Sequence, residues 1–126
     1  MNPYFTKEEA TAIISAVIDT VCVDGQLDQY EKLYVARLAK KFNLSEQDIR
    51  SAQLLTPDQV SAVLSKMTYE KRKLTTCFLN CAATADGIVR RVESTILRMM
   101  INRCNLPELG DNHMDMAIRV TEWLNS

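Results

Sequence analysis

The stretch VCVDGQLDQYEKL, residues 21–33, returns in related form as TADGIVRRVESTI at residues 84–96, each with the pattern D-G-x-x-x-x-x-E. At the same offset of 62 residues, an Asn-Leu pair also recurs further along each half of the chain. The aligned positions are Asp24 with Asp86, Gly25 with Gly87, Glu31 with Glu93, Asn43 with Asn105, and Leu44 with Leu106. We therefore predict two helix–turn–helix repeats, about 7–44 and 69–106, packed about an approximate two-fold axis.

Apolar residues follow a helical spacing through nearly the whole chain, and no two-residue alternation marks a strand. Glycine and proline number only three each. Thr6 with Glu9 and Thr56 with Gln59 form capping boxes, and Ser45 is a third helix start. Predicted helix ends fall at Gly25, Asn43-Leu44, Asp86-Gly87 and Cys104–Pro107. The pattern predicts an all-α fold of about seven helices in one bundle-like domain, residues 1–126.

Each predicted helix carries an apolar stripe that should face the core. The main stripes are Ala10, Ile13, Ile14, Val17, Ile18 and Val21; Val35, Leu38, Ala39 and Phe42; Val60, Val63, Leu64 and Met67; Leu74, Cys77, Phe78, Cys81, Ala82 and Ala85; and Val92, Ile96, Met99 and Met100. The last helix is predicted to begin near Asp111 and to use Met114, Ile118, Trp123 and Leu124. We expect Trp123 to hold this helix against the bundle.

The composition bounds the class of protein. The chain has 126 residues, 47% of them hydrophobic and 25% charged, with a net charge of −1. These values predict a soluble globular domain without the net positive charge that attracts nucleic acid. The sequence shows no signal peptide and no apolar run long enough for membrane insertion, so we expect a cytoplasmic protein. Motifs of nucleophilic, phosphate-binding or zinc-dependent enzymes are missing, which predicts a protein that is not an enzyme.

Four cysteines, Cys22, Cys77, Cys81 and Cys104, are too few for a disulfide scaffold. Cys77 and Cys81 are four residues apart and share a helix face. A zinc site needs about four nitrogen or sulfur ligands, and His113 is the only histidine in the sequence. We interpret the cysteines as small buried hydrophobic residues.

The duplicated acids are the candidate functional residues. Glu31 lies three residues after Asp28, so this pair can be explained as a capping box in the first turn of a helix. Asp24 and Asp86 follow helix ends, where the helix dipole disfavours a carboxylate. A compensating positive partner is therefore expected, either a bound cation or an arginine such as Arg90 or Arg91. Pooled carboxylates would suit a hard divalent cation such as Ca²⁺, Mg²⁺ or Mn²⁺.

The seven helices, the two repeats and the Asp-Gly turns followed by glutamate resemble the TerB-like family, from about Thr6 to Trp123. The resemblance implies an all-helical domain with a role in stress or metal-associated responses, including tellurite resistance. It also implies that acidic positions bind a divalent cation. These positions correspond to Asp24, Asp28, Glu31, Asp86 and Glu93. The second copy departs from the family pattern, because Arg90 and Arg91 bring positive charge next to its acids.

Two functions stay open from the sequence. The first is a non-enzymatic helical module that binds a divalent cation through the duplicated acids. The second is a protein–protein interaction adaptor without metal, in which the acids serve as caps and charge partners. The sequence does not identify the partner of such an adaptor. The partner can also be a second copy of this chain, bound weakly.

Overall fold

The structure, a computed structural model, describes residues 4–22, 29–83, 91–109 and 113–126, and gives the side chains of all of these except 91–94 and 113. Within these ranges the chain forms seven α-helices and no strand. The helices are α1 Lys7–Val21, α2 Gln29–Lys41, α3 Glu46–Gln53, α4 Pro57–Leu64, α5 Tyr69–Ala83, α6 Arg91–Arg103 and α7 His113–Leu124. The predicted all-α fold class is confirmed. In the described part, no helix is both long and apolar enough to cross a membrane.

The predicted helix starts are confirmed by their hydrogen bonds. At the start of α1, the Glu9 backbone N–H donates to the Thr6 hydroxyl at 3.1 Å, and the Thr6 N–H donates to the Glu9 carboxylate at 2.9 Å. The same reciprocal pair of bonds begins α3 at Ser45 and α4 at Thr56. Each cap contributes about 1 kcal/mol relative to alanine, so local sequence alone fixes these three boundaries.

Helices α2 and α6 end in the same left-handed turn. Asn43 and Asn105 have φ values of 62° and 54°, a region that asparagine tolerates better than most residues. The N–H of the leucine that follows each asparagine donates to the carbonyl five residues earlier, at 2.9 Å in both helices. These bonds form the Schellman motif and confirm the predicted Asn-Leu stops.

The bounds of these elements also repeat. Helix α5 begins and ends 62 residues after α1, and α6 begins and ends 62 residues after α2. This agreement is what a duplicated helix–turn–helix unit would produce. The duplication itself, its two-fold axis and the single-domain organisation stay predictions.

Helix α1 lies at the centre of the bundle and packs against α2, α3, α4, α5 and α6. Its burial extends beyond the predicted apolar stripe to Ala12, Ser15, Ala16 and Thr20, because neighbours cover several sides. Small side chains at these positions let the neighbouring helices approach closely. The buried Thr20 hydroxyl donates to the Ala16 carbonyl at 2.8 Å, so its burial leaves no unpaired donor.

An aromatic cluster joins the ends of the chain to the core. The Phe78 ring of α5 is fully buried, and its centroid lies 5.7 Å from Phe42, 6.0 Å from Phe5 and 5.8 Å from Trp123. These separations are within the range of favourable aromatic pairs. Trp123 therefore anchors α7 to α2 and α5, as predicted.

One partly buried ion pair connects α1 to α5. The Lys71 Nζ lies 2.8 Å from the Glu9 carboxylate, and the two side chains are 25% and 17% exposed. Burial opposes ionisation of Glu9, but its bonds to Lys71 and Thr6 outweigh that effect and hold the pKa of Glu9 below its usual value. Glu9 thus serves both the cap of α1 and its packing against α5.

The prediction of a core position is wrong for three residues. Met99 is 52% exposed on α6, and Met114 and Ile118 are 63% and 54% exposed on α7. The core face of α7 instead consists of the buried Val120 with the partly buried Met116, Trp123 and Leu124. Helix α7 has two apolar faces with helical spacing, and periodicity alone does not decide which one packs. The predicted roles of Gly25, Gly87, Ala85 and the Val92 side chain lie outside the described residues.

Candidate functional site

The predicted cation ligands fall mainly outside the described part of the chain. This is so for Asp24, Asp28 and Asp86, and for the side chain of Glu93. Glu31 is the third residue of α2 and is only 3% exposed. Among the described residues, no three His, Cys, Asp or Glu side chains are grouped so that they could hold a metal ion. The metal site therefore stays a prediction.

A groove between α2 and α7, with α5 as its floor, is the most site-like feature of the described structure. It has a volume of about 350 Å³. We call it the α2–α7 groove. Its lining residues are Tyr30, Leu33, Tyr34 and Arg37 from α2, Cys81 from α5, and Ala117, Thr121, Leu124 and Asn125 from α7 and the residue after it.

Polar contacts tie the two walls together at one end of this groove. The Arg37 guanidinium donates to the Asn125 side-chain carbonyl at 3.1 Å. The Lys41 Nζ donates to the Ser126 carbonyl at 3.0 Å and to its hydroxyl at 2.6 Å. The C-terminal ends of α2 and α7 are thus held side by side.

The opposite end of the groove exposes large apolar side chains on both walls. Tyr30 and Leu33 in the first half of α2 are 52% and 49% exposed. Met114 and Ile118 in the first half of α7 lie on the helix face of Thr121, which lines the groove. Exposed apolar residues thus line the groove on α2 and continue the lining face of α7 beyond it, an arrangement associated with interaction sites.

The floor of the groove combines a fixed tyrosine with a pair of sulfur atoms. The Tyr34 hydroxyl donates to the Phe78 carbonyl at 2.8 Å. Burial raises the pKa of Tyr34, and the nearby Cys81 and Cys77 raise it further. The Cys77 and Cys81 Sγ atoms lie 4.0 Å apart. The prediction of buried cysteines holds fully for Cys77, whereas Cys81 reaches the groove.

The charge of the α2 wall is predominantly positive. This helix contains four basic residues, Lys32, Arg37, Lys40 and Lys41, and one acidic residue, Glu31. Glu31 is buried, so the exposed charges of α2 are basic. Of these basic residues only Arg37 lines the groove, where it would face an acidic group of a ligand.

A second groove between α1 and α4 is larger, about 570 Å³, but has a different character. It is lined by Lys7, Glu8, Thr11, Leu55, Gln59, Ala62 and Val63. None of these residues is aromatic, and its charged rim carries both signs. Since aromatic residues are enriched at binding hot spots, the α2–α7 groove with its two tyrosines is the stronger candidate.

Sequence reasoning missed the α2–α7 groove, although one signal for it was present. Met114, Ala117, Ile118 and Thr121 form a second stripe on α7, beside the one that packs. A helix with two such stripes has more apolar surface than a single core contact covers. On α2, the corresponding outer stripe of Tyr30, Leu33 and Tyr34 gave the same signal.

The described residues thus form an all-α domain of seven helices with an exposed groove. The family model for tellurite resistance protein TerB matches residues 1–54. This match covers less than half of the chain, including the first of the two Asp-Gly motifs, and supports the resemblance to the TerB-like family.

A solved structure extends the fold comparison to nearly the whole chain. The crystal structure of a protein of unknown function from Porphyromonas gingivalis W83 is similar with a TM-score of 0.74. The similarity covers 95% of this chain and 98% of that one, at 20% sequence identity. At this identity the likeness concerns the fold alone. No curated protein matches the chain significantly.

Proposed function

We propose that this TerB-like domain is a non-catalytic, cytoplasmic interaction module that binds an amphipathic helical segment of a partner protein in the α2–α7 groove. The observation that carries the proposal is the set of exposed apolar residues at the mouth of the groove. Tyr30, Leu33, Met114 and Ile118 are each about half exposed or more. Surfaces of this kind bind the apolar face of a helix through residues spaced by three and four positions.

The chemistry of the partner follows from the two walls. The apolar mouth requires a ligand with an apolar stripe. Basic residues of α2 favour acidic residues beside that stripe, because opposite charges speed association and fix orientation. Arg37 and Lys41 already bind groups at the end of α7, so the partner helix would enter from the Tyr30 end.

Fluorescence anisotropy with a labelled model peptide tests this proposal. The probe is a helical peptide with leucines at positions i, i+3, i+4 and i+7 and glutamates on the flanks. We expect the glutamate peptide to bind more tightly than a matched peptide with lysine flanks. Leu33→Glu places a charge at the groove mouth and should weaken binding at least ~10-fold, since one desolvated charge costs more than 1.4 kcal/mol.

Leu54→Glu is the matched control, because Leu54 is 83% exposed and does not line the groove. This variant should bind the peptide as wild type does. Equal binding by wild type and Leu33→Glu, or no binding at all, contradicts the proposal. If sedimentation shows a dimer that Leu33→Glu dissociates, the occupant is a second copy of this chain and the heterologous partner is wrong.

Cation binding through the duplicated acids is the second candidate function. The observation that favours it is the position of Glu31, the one predicted ligand whose side chain the structure describes: it is 3% exposed and points into the protein instead of being a solvated charge on α2. Glu31 would supply an oxygen ligand, together with Asp24, Asp28, Asp86 and Glu93 from the predicted set. Oxygen donors of this type suit Ca²⁺, Mg²⁺ or Mn²⁺.

Calorimetric titration separates this second function from the first. Wild type is titrated with Ca²⁺, Mg²⁺, Mn²⁺ and Zn²⁺, and the double variant Asp24→Asn with Asp86→Asn is the comparison. Cation binding predicts heat with a hard ion that the double variant loses. No heat and no thermal shift with any ion would remove the metal function, while leaving peptide binding in the groove unaffected.

A further inference from the structure

The Cys77–Cys81 pair places two thiols in contact where the core of the bundle meets the α2–α7 groove. The two Sγ atoms lie 4.0 Å apart on consecutive turns of α5. Cys77 is fully buried, and Cys81 lines the floor of the α2–α7 groove. One residue of the pair is therefore partly exposed in the groove, and the other is in contact with it inside the core.

Helix geometry disfavours a disulfide between these two residues. Side chains at positions i and i+4 of a helix have Cβ atoms about 5–6 Å apart. A disulfide needs a Cβ separation of about 3.5–4.5 Å. Closing that difference would distort α5 beside Phe78, which lies fully buried in the core. A direct disulfide is therefore disfavoured, whereas an ion that replaces the thiol hydrogen between the two sulfurs would keep their present contact.

A single soft metal ion satisfies this spacing. With the Zn–S distance of about 2.3 Å as a guide, two thiolates bound to one ion lie at most about 4.6 Å apart. The observed separation of 4.0 Å falls below that limit and corresponds to a bent S–metal–S arrangement. Thiolate ligands select soft ions such as Cu⁺. No group of three or more metal-ligating side chains occurs among the described residues, which favours an ion that accepts two protein ligands.

We propose that Cys77 and Cys81 form a two-thiolate site for one soft monovalent metal ion such as Cu⁺. Binding forms two metal–sulfur bonds and releases both thiol protons to solvent, with no change of oxidation state. The ion enters from the α2–α7 groove and reaches Cys81 first. Binding of a partner helix in the groove is not required for this site.

The position of the pair sets the order of binding. Cys81 lines the groove, so an entering ion meets this residue first, and the fully buried Cys77 completes the site. The bound form carries one negative charge, and Arg37 lines the same groove.

Competition with a coloured Cu⁺ chelator, such as bicinchoninate, measures the site in reduced protein under anaerobic conditions. We expect wild type to remove one Cu⁺ per chain from the chelator. Cys81→Ser and Cys77→Ala should each weaken binding at least ~10-fold, since even loss of a group that orients a metal ligand costs ~10–100-fold. Cys104→Ala is the matched control, because Cys104 is also fully buried but stands apart from the pair. This control should bind as wild type does.

A second measurement covers the case in which a cysteine variant does not fold. Phenylarsine oxide bridges two thiols by forming two As–S bonds, and its oxygen leaves as water with the two thiol hydrogens. Mass spectrometry of wild type should place one arsenic adduct on the peptide with Cys77 and Cys81, and bound Cu⁺ should block it.

The proposal is overturned by equal Cu⁺ affinity of wild type and Cys81→Ser, by one ion shared between two chains, or by an adduct on other cysteines. It is also overturned if mild oxidation gives a Cys77–Cys81 disulfide while α5 stays helical, because the pair would then be spaced for direct bonding. Failure of the peptide experiment leaves this site unaffected.

Discussion

Replacing Phe78 by alanine should remove the centre of the aromatic cluster. A buried phenylalanine truncated to alanine costs about 3–5 kcal/mol. Phe78 is fully buried and contacts three aromatic rings, each pair contributing about 0.5–1.5 kcal/mol beyond its buried area. We therefore expect the upper part of that range, about 4–5 kcal/mol. For a domain of this size such a loss lowers Tm by roughly 15 °C or more.

Urea unfolding followed by two signals measures the effect. Far-UV circular dichroism reports all helices, and the fluorescence of Trp123, the sole tryptophan, reports the docking of α7. Since Trp123 stacks on Phe78 at 5.8 Å, its emission should already be shifted in the folded Phe78→Ala protein. Both signals should give one transition if the cluster unfolds together with the bundle.

Two substitutions serve as controls for Phe78→Ala. Phe78→Leu keeps most of the volume and should cost about half as much. Leu54→Ala changes an 83% exposed residue and should stay within about 0.5 kcal/mol of wild type. A loss below about 2 kcal/mol for Phe78→Ala, or unchanged Trp123 emission, would show that the cluster is not the packing centre of the bundle.

The remaining predictions concern the helix ends and the α1–α5 ion pair. Asn43→Gly and Asn105→Gly should each stabilise the protein by up to about 1 kcal/mol in thermal unfolding, because glycine adopts positive φ without steric cost. Alanine at either position should destabilise the protein by a similar amount. Opposite signs would contradict the left-handed caps. Glu9→Gln keeps an acceptor for the Thr6 N–H but removes the charge facing Lys71. The pKa of Glu9 is lowered in the folded protein, so its ionised form stabilises the fold at pH values above its ordinary pKa of 4.5. This stabilisation is lost as the pH falls through the pKa that Glu9 has in the folded protein. Urea midpoints across the acid range should therefore depend less on pH in Glu9→Gln, and identical pH profiles would refute the pair.

The features predicted well from sequence are those that neighbouring residues determine. Thr6, Ser45 and Thr56 cap helices through bonds to residues three positions away, so their effect is encoded locally. Asn43 ends α2 for the same reason, since its left-handed turn closes on the last turn of its own helix.

The face of α7 and the groove depend on contacts across the chain. Met114 and Val120 both lie on apolar stripes of α7, and only docking against α5 and α2 decides which stripe is buried. The same holds for Cys81, which packs against the core as its stripe position predicted and also lines the α2–α7 groove. For the candidate cation site, sequence gave the duplicated acids, and the described side chains include only Glu31 among them.

The Glu9–Lys71 contact bears on the predicted two-repeat organisation. The two residues are separated by 62 positions, the offset that relates α1 to α5. In the predicted arrangement, each residue would occupy the place that the other holds in the opposite half. Two copies of a single half would then bring two carboxylates, or two ammonium groups, together at this contact. Opposite charges here would favour pairing of the two different halves over pairing of identical ones.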